Sequence, residues 1–184
     1  MNDLLILHQA TKPDLVHYLP IATTLVSIVF CAVLLFRYKS KGKGAHLLWW
    51  ALGVGCYGLG TALESSVTLF GNSAALNKAW YIAGALLGGY PLAQGTVYLL
   101  LQRSTANMLS LLTVPVIVVM SVLVALSPTN MELLESHRPG GASLGWQWLR
   151  FFTPLINGYA ALFLVGGAIL SAWRFARKQS TMNR

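Results

Sequence analysis

Apolar residues in this chain gather into five long runs, at about 16–36, 45–70, 79–101, 107–127 and 149–173, separated by short polar stretches. A helix crossing the hydrocarbon core of a bilayer needs roughly 20 predominantly apolar residues, and each run reaches that length. The links between runs are short, at roughly eight, eight, five and twenty residues, so consecutive helices are expected to be antiparallel neighbours. The pattern therefore predicts an all-α, polytopic integral membrane protein. Its single domain, residues 1–184, is a bundle of five transmembrane helices. No repeat of 20 to 50 residues divides the chain, and five helices do not split into the two inverted halves of many transporters.

Composition strengthens this picture. Of the 184 residues, 55% are hydrophobic and only 10% are charged, where a soluble domain carries about 25% charged residues. The net charge of +8 would suggest nucleic acid if it formed a patch, but it is distributed by span. Arg37, Lys39, Lys41 and Lys43 follow the first run, Arg103 lies between the third and fourth, and Arg174, Arg177, Lys178 and Arg184 follow the fifth. Lys12, Lys78, Arg138 and Arg150 fall on the opposite side. Basic residues accumulate on the cytoplasmic face, so the N-terminus is expected outside and the C-terminus in the cytoplasm. The expected location is the bacterial cytoplasmic (inner) membrane, with lipid as the first partner and nucleic acid as none. The N-terminus lacks the basic start and small-residue cleavage pattern of a signal peptide, so the first span is expected to direct insertion.

Several motifs resemble chemistry. Gly53, Gly55 and Gly58 in "ALGVGCYGLGTALE" match the G-x-G-x-x-G of dinucleotide-binding folds. That fingerprint requires a strand before it and a helix starting within it. Here the glycines lie in mid-span, where small residues let helices approach closely. The third run carries a GxxxG at Gly84 and Gly88, and the face continuing to Gly95 predicts a packing seam within the monomer or between copies. The "GASLG" around Ser143 matches a nucleophile elbow but falls in the long 128–148 connection, where a glycine-rich loop is expected. In that connection Thr129 and Glu132 form a capping-box pattern heading a short helix that Pro139-Gly140-Gly141 would end, and Trp146 and Trp148 are placed for an interface.

The four histidines (His8, His17, His46 and His137) share no span at ligand spacing, so no haem or metal is expected, and no cofactor is implied. What remains is a small set of polar residues within the spans. Glu64 is the only acidic residue inside a run, and such residues usually face the interior, pair, or accept a proton. Tyr57 and Thr61 share its helix face, and Arg150 lies at a similar level on the fifth span and is expected to pair with it. Gln94, Asn157 and Tyr159 complete a candidate ligand-binding set. No nucleophile or acid–base pair stands at one depth. The function expected is thus a non-catalytic bundle that binds an apolar small molecule or another membrane protein. Alternatives are a proton-linked small-molecule transporter using Glu64 and a membrane enzyme acting on lipid.

Overall fold

The computed structural model describes residues 15–40 and 44–182 of the chain; His8, Lys12, Lys41, Lys43 and Arg184 lie outside them, as do the side chains of His17 and Lys178. The described residues are helical, and β pairing is limited to one isolated bridge between Thr129 and Leu144. After a short turn at Leu15–Tyr18, the helices are α1 (Leu19–Ser40), α2 (Ala45–Phe70), α3 (Ala74–Trp80), α4 (Tyr90–Leu100), α5 (Arg103–Leu126) and α6 (Phe152–Met182). Three segments among the described residues are long and apolar enough to cross a membrane: Leu19–Ser40, Arg103–Leu126 and Gln147–Arg177. α2 is also long, at 26 residues, and coincides with the second apolar run.

The third run is not one helix. α3 passes at Trp80 into a π-helical stretch, Tyr81–Leu86, and residues 87–89 form a turn before α4 begins at Tyr90. The π geometry is visible in Leu87 N–H, which donates to Ile82 O at 3.0 Å, five residues back. Two causes lie in the sequence. Pro91 has no N–H to donate to the preceding turn, and it favours the start of a new helix. Gly88 sits with its Cα hydrogens against the Gly84 carbonyl, where a Cβ could not fit. Gly88 therefore serves the break and not a helix–helix seam.

α2 is the hub. α1 packs along one side of it, and α4 and the π stretch along another; α6 then packs on α4. The glycines of the fingerprint are helical residues of this hub. A Cβ on Gly58 would lie 2.8 Å from Ser27 Cβ on α1, and one on Gly53 would lie 2.7 Å from the backbone N of Leu92 on α4. Gly60 likewise faces backbone, with its Cβ position 2.8 Å from Gly84 Cα. In lipid, where apolar burial gives little drive, such approach gains dispersion over many atoms. The predicted seam of Gly84, Gly88 and Gly95 thus takes another form. Gly84 meets Gly60, Gly95 meets the Trp50 ring, and Gly88 lies inside its own turn.

The 128–148 connection folds over one end of the bundle. Its cap differs from the expectation: Asn130, not Thr129, accepts from Glu132 N–H at 3.0 Å, and only a single 3-10 turn (Met131–Leu133) follows. Thr129 instead pairs its backbone with Leu144. Asn77 on α3 holds the loop, donating to Gly140 O and Ser143 Oγ at 2.9 Å each and accepting from Gly140 N–H at 2.8 Å. Asn72 adds a donation to Glu135 O at 2.9 Å. Ser143, the centre of the elbow-like motif, is 1% exposed and spent on this clasp. At the same end of the bundle, next to Asn72, Gly71 adopts φ 86°, a backbone conformation suited to glycine, and closes α2 through its N–H to Val67 O.

Candidate functional site

α4 and α5 are joined by three polar rungs. Tyr90, Gln94 and Tyr98 recur every four residues on α4, and Asn107, Ser110 and Thr113 recur every three on α5. Because the helices run antiparallel, the two ladders meet in order. Tyr90 Oη lies 2.6 Å from Thr113 Oγ1, Gln94 Nε2 donates to Ser110 Oγ at 2.6 Å, and Tyr98 Oη donates to Asn107 Oδ1 at 2.7 Å. α6 joins at the middle rung, where Tyr159 Oη donates to Gln94 Oε1 at 2.7 Å. Gln94 is fully buried and completes its bonding with Ala106 O at 3.3 Å. Aromatic rings thicken this layer: Tyr90 packs on Tyr159 at 5.8 Å between centroids, Tyr159 on Phe163 at 4.7 Å, and Trp49 of α2 edge-on to Tyr90 at 6.1 Å.

Above these rungs α5 and α6 diverge and share little direct contact. The gap between them is a cleft of about 250 Å³. Tyr90, Thr113 and Tyr159 form its floor, Phe152 and Ile156 its inner wall, and Leu112, Val116 and Leu155 its rim. The rim side chains are exposed on the surface of the bundle, so the cleft opens sideways rather than toward either end. No charged residue lines it.

The seven residues singled out from the sequence are not gathered into one place. Gln94 and Tyr159 are bonded to each other at the cleft floor. Thr61 turns toward α1, where its Oγ1 lies 2.9 Å from Thr24 Oγ1. Tyr57 is 44% exposed on the outside of α2. Asn157 is exposed on α6 beside the helix break, near Gly89. Glu64 is half-buried against α3 and accepts from Trp80 Nε1 at 3.4 Å. Arg150 donates to Gln147 Oε1 at 2.9 Å on the surface. The expected Glu64–Arg150 ion pair is not formed among the described residues: Glu64 is engaged by Trp80 of α3, and Arg150, in the 3-10 turn Gln147–Phe151 that precedes α6, by Gln147. Among the described residues, no three His, Cys, Asp or Glu side chains gather where they could hold a metal ion.

This geometry sets the outcome of a double-mutant cycle. Glu64→Gln keeps an acceptor for Trp80 and should change the thermal midpoint in detergent by no more than about 2 °C, the equivalent of about 0.5–1 kcal/mol. Arg150→Ala should be additive with it, since the two side chains share no partner. A coupling of 1 kcal/mol or more would restore the ion pair.

The sequence reading missed Tyr90, Ser110, Thr113 and Phe152. The signal for Tyr90, Ser110 and Thr113 was present in the two ladders, whose periods of four and three residues each mark a polar stripe on a helix, whereas Phe152 is one apolar residue among many. No family model, curated protein or solved structure matches this chain.

Proposed function

We propose that this protein is a non-catalytic membrane helix bundle that holds an apolar ligand in the cleft between α5 and α6. The observation that carries this reading is the sideways opening of a cleft whose floor hydroxyls are already hydrogen-bonded to the protein. Binding pockets combine apolar walls with a few placed polar groups, and this one has that character at a volume just below the usual range of about 300–1,000 Å³. A volume near 250 Å³ suits a lipid chain segment or a single ring system better than a polar metabolite. We take the bundle to have five spans, with α2 and the broken α3–α4 unit crossing alongside the three most apolar segments. α2, at 26 residues and 1.5 Å each, extends about 39 Å, enough to cross. The 128–148 clasp then faces outward and the basic ends of α1 and α6 face the cytoplasm, in a bacterial inner membrane.

Photo-crosslinking in nanodiscs tests the reading. A phospholipid with a diazirine in its acyl chain should label the segment around Tyr90, Phe152 and Tyr159 above the lipid-facing background. Val116→Trp places a large ring on an exposed rim position and should reduce that labelling about ten-fold without loss of folded protein. Labelling spread evenly over α1, α5 and α6, unchanged by Val116→Trp, would remove the cleft as a ligand site.

A second reading, proton-linked transport, has one observation in its favour. The helix break at 81–89 lies next to the Glu64–Trp80 contact, and broken helices with nearby acidic groups are a transporter device. Proton-driven uptake abolished by Glu64→Gln would select it.

A further inference from the structure

The hydrogens of the cleft floor can be assigned one by one, and the assignment says what a ligand would meet there. Thr113 has one hydroxyl proton, and its Oγ1 donates to Leu109 O at 2.6 Å. The contact of 2.6 Å between Tyr90 Oη and Thr113 Oγ1 must then be a donation from Tyr90. Tyr159 gives its proton to Gln94 Oε1 at 2.7 Å. Gln94 Nε2 is committed to Ser110 Oγ and Ala106 O. Ser110 Oγ, 3.2 Å from Tyr98 Oη, has its own proton directed there, because Tyr98 donates to Asn107. Every donor on the floor is therefore used within the protein. What the floor retains toward the cleft is acceptor capacity, on the oxygens of Tyr90, Tyr159 and Thr113.

Resting on the reading of the cleft as a ligand site, we infer that its occupant is a lipid alcohol: an uncharged apolar body carrying a free hydroxyl. A hydroxyl brings its own proton and finds an acceptor at the floor. A ketone, ester or ether oxygen finds no donor and is left unsatisfied in an apolar wall, which costs binding. A charged headgroup finds no counter-charge among the lining residues. The discrimination resembles that of any buried site built to complement one hydrogen-bonding sense, which rejects the analogue lacking it.

The test compares 1-hexadecanol with its methyl ether as competitors of the acyl-chain photoprobe in nanodiscs. In the parent protein the alcohol should compete two- to ten-fold better than the ether, the worth of one net hydrogen bond. Thr113→Val removes the acceptor that takes the Tyr90 proton and so leaves Tyr90 with a free donor. In that variant the ether oxygen finds a donor and should gain several-fold over its binding to the parent, while the alcohol keeps acceptors on the two tyrosine oxygens. Thr113→Ser, which keeps the oxygen, should behave as the parent. Equal competition by alcohol and ether in the parent overturns the inference while leaving the cleft occupied. Failure of both to displace the probe overturns the cleft reading itself. Should Thr113→Val not fold, the parent comparison alone decides.

Discussion

Alanine in place of Asn77 is expected to lower the thermal midpoint in mild detergent by about 6–12 °C, from a loss of about 3 kcal/mol at roughly 2–4 °C per kcal/mol for a chain of this size. Asn77 is 1% exposed and serves both backbone groups of Gly140 as a strand neighbour would, taking its N–H and giving to its C=O. It also donates to Ser143 Oγ and accepts, at 3.4 Å, from Asn72 Nδ2. Removing the amide strands the Gly140 N–H and leaves Gly140 O and Ser143 Oγ with only their own 3.4 Å contact, and unsatisfied buried groups carry the full cost of lost solvation. Asn77→Asp should be worse than alanine, since it replaces the donating nitrogen with a carboxylate oxygen facing Gly140 O. Ser143→Ala, which removes one acceptor for Asn77 and a 3.4 Å donation to Gly140 O but leaves Gly140 served by Asn77, should cost only about 1 kcal/mol. A midpoint for Asn77→Ala within about 2 °C of the parent would show that the 128–148 connection rests on the bundle without being held by α3.

The clasp also shows what a sequence can carry and what it cannot. The apolar runs mark helical segments well, and 45–70 coincides with α2, because a long apolar stretch with short polar ends has few other solutions. The break in the third run is hidden from the same signal. Its residues are apolar on every side, so hydrophobicity does not fall where the helix turns; only Gly88-Gly89 followed by Pro91 marks the place. Depth along a span is legible from residue count, but azimuth around the bundle is not. Glu64 and Arg150 were matched by depth alone, and the fold sets them on different faces. Gln94 and Tyr159 were each visible as polar residues in apolar surroundings, yet their union at 2.7 Å depends on how α6 lies on α4. Asn77 was invisible as a site, being one polar residue near a span end with partners more than 60 positions away.

The second large effect is expected at Gly60, where α2 and the π stretch come closest. A Cβ there would lie 2.8 Å from Gly84 Cα and 3.1 Å from Gly84 N, and both are backbone atoms that no rotamer change can move aside. Gly60→Val should therefore force the two segments apart and cost about 3 kcal/mol, again about 6–12 °C in the detergent melt. The alanine variants separate this cause from helix propensity. Glycine to alanine in a helix gains up to about 1 kcal/mol wherever space allows. Gly158 on α6 has no atom within 4 Å of its Cβ position, and Gly84 has its nearest, Trp80 Nε1, at an ordinary 3.5 Å. Gly158→Ala should thus be neutral or slightly stabilising, and Gly84→Ala close to neutral. Gly60→Ala should be net destabilising despite the same gain. The contact is asymmetric because the Cβ vector at Gly60 points at the opposing backbone, while the one at Gly84 points past it toward Trp80. A Gly60→Ala midpoint equal to or above that of Gly158→Ala would mean that α2 and the π stretch part freely. The close approach of Gly60 to Gly84 would then not be what holds the broken third segment to the hub.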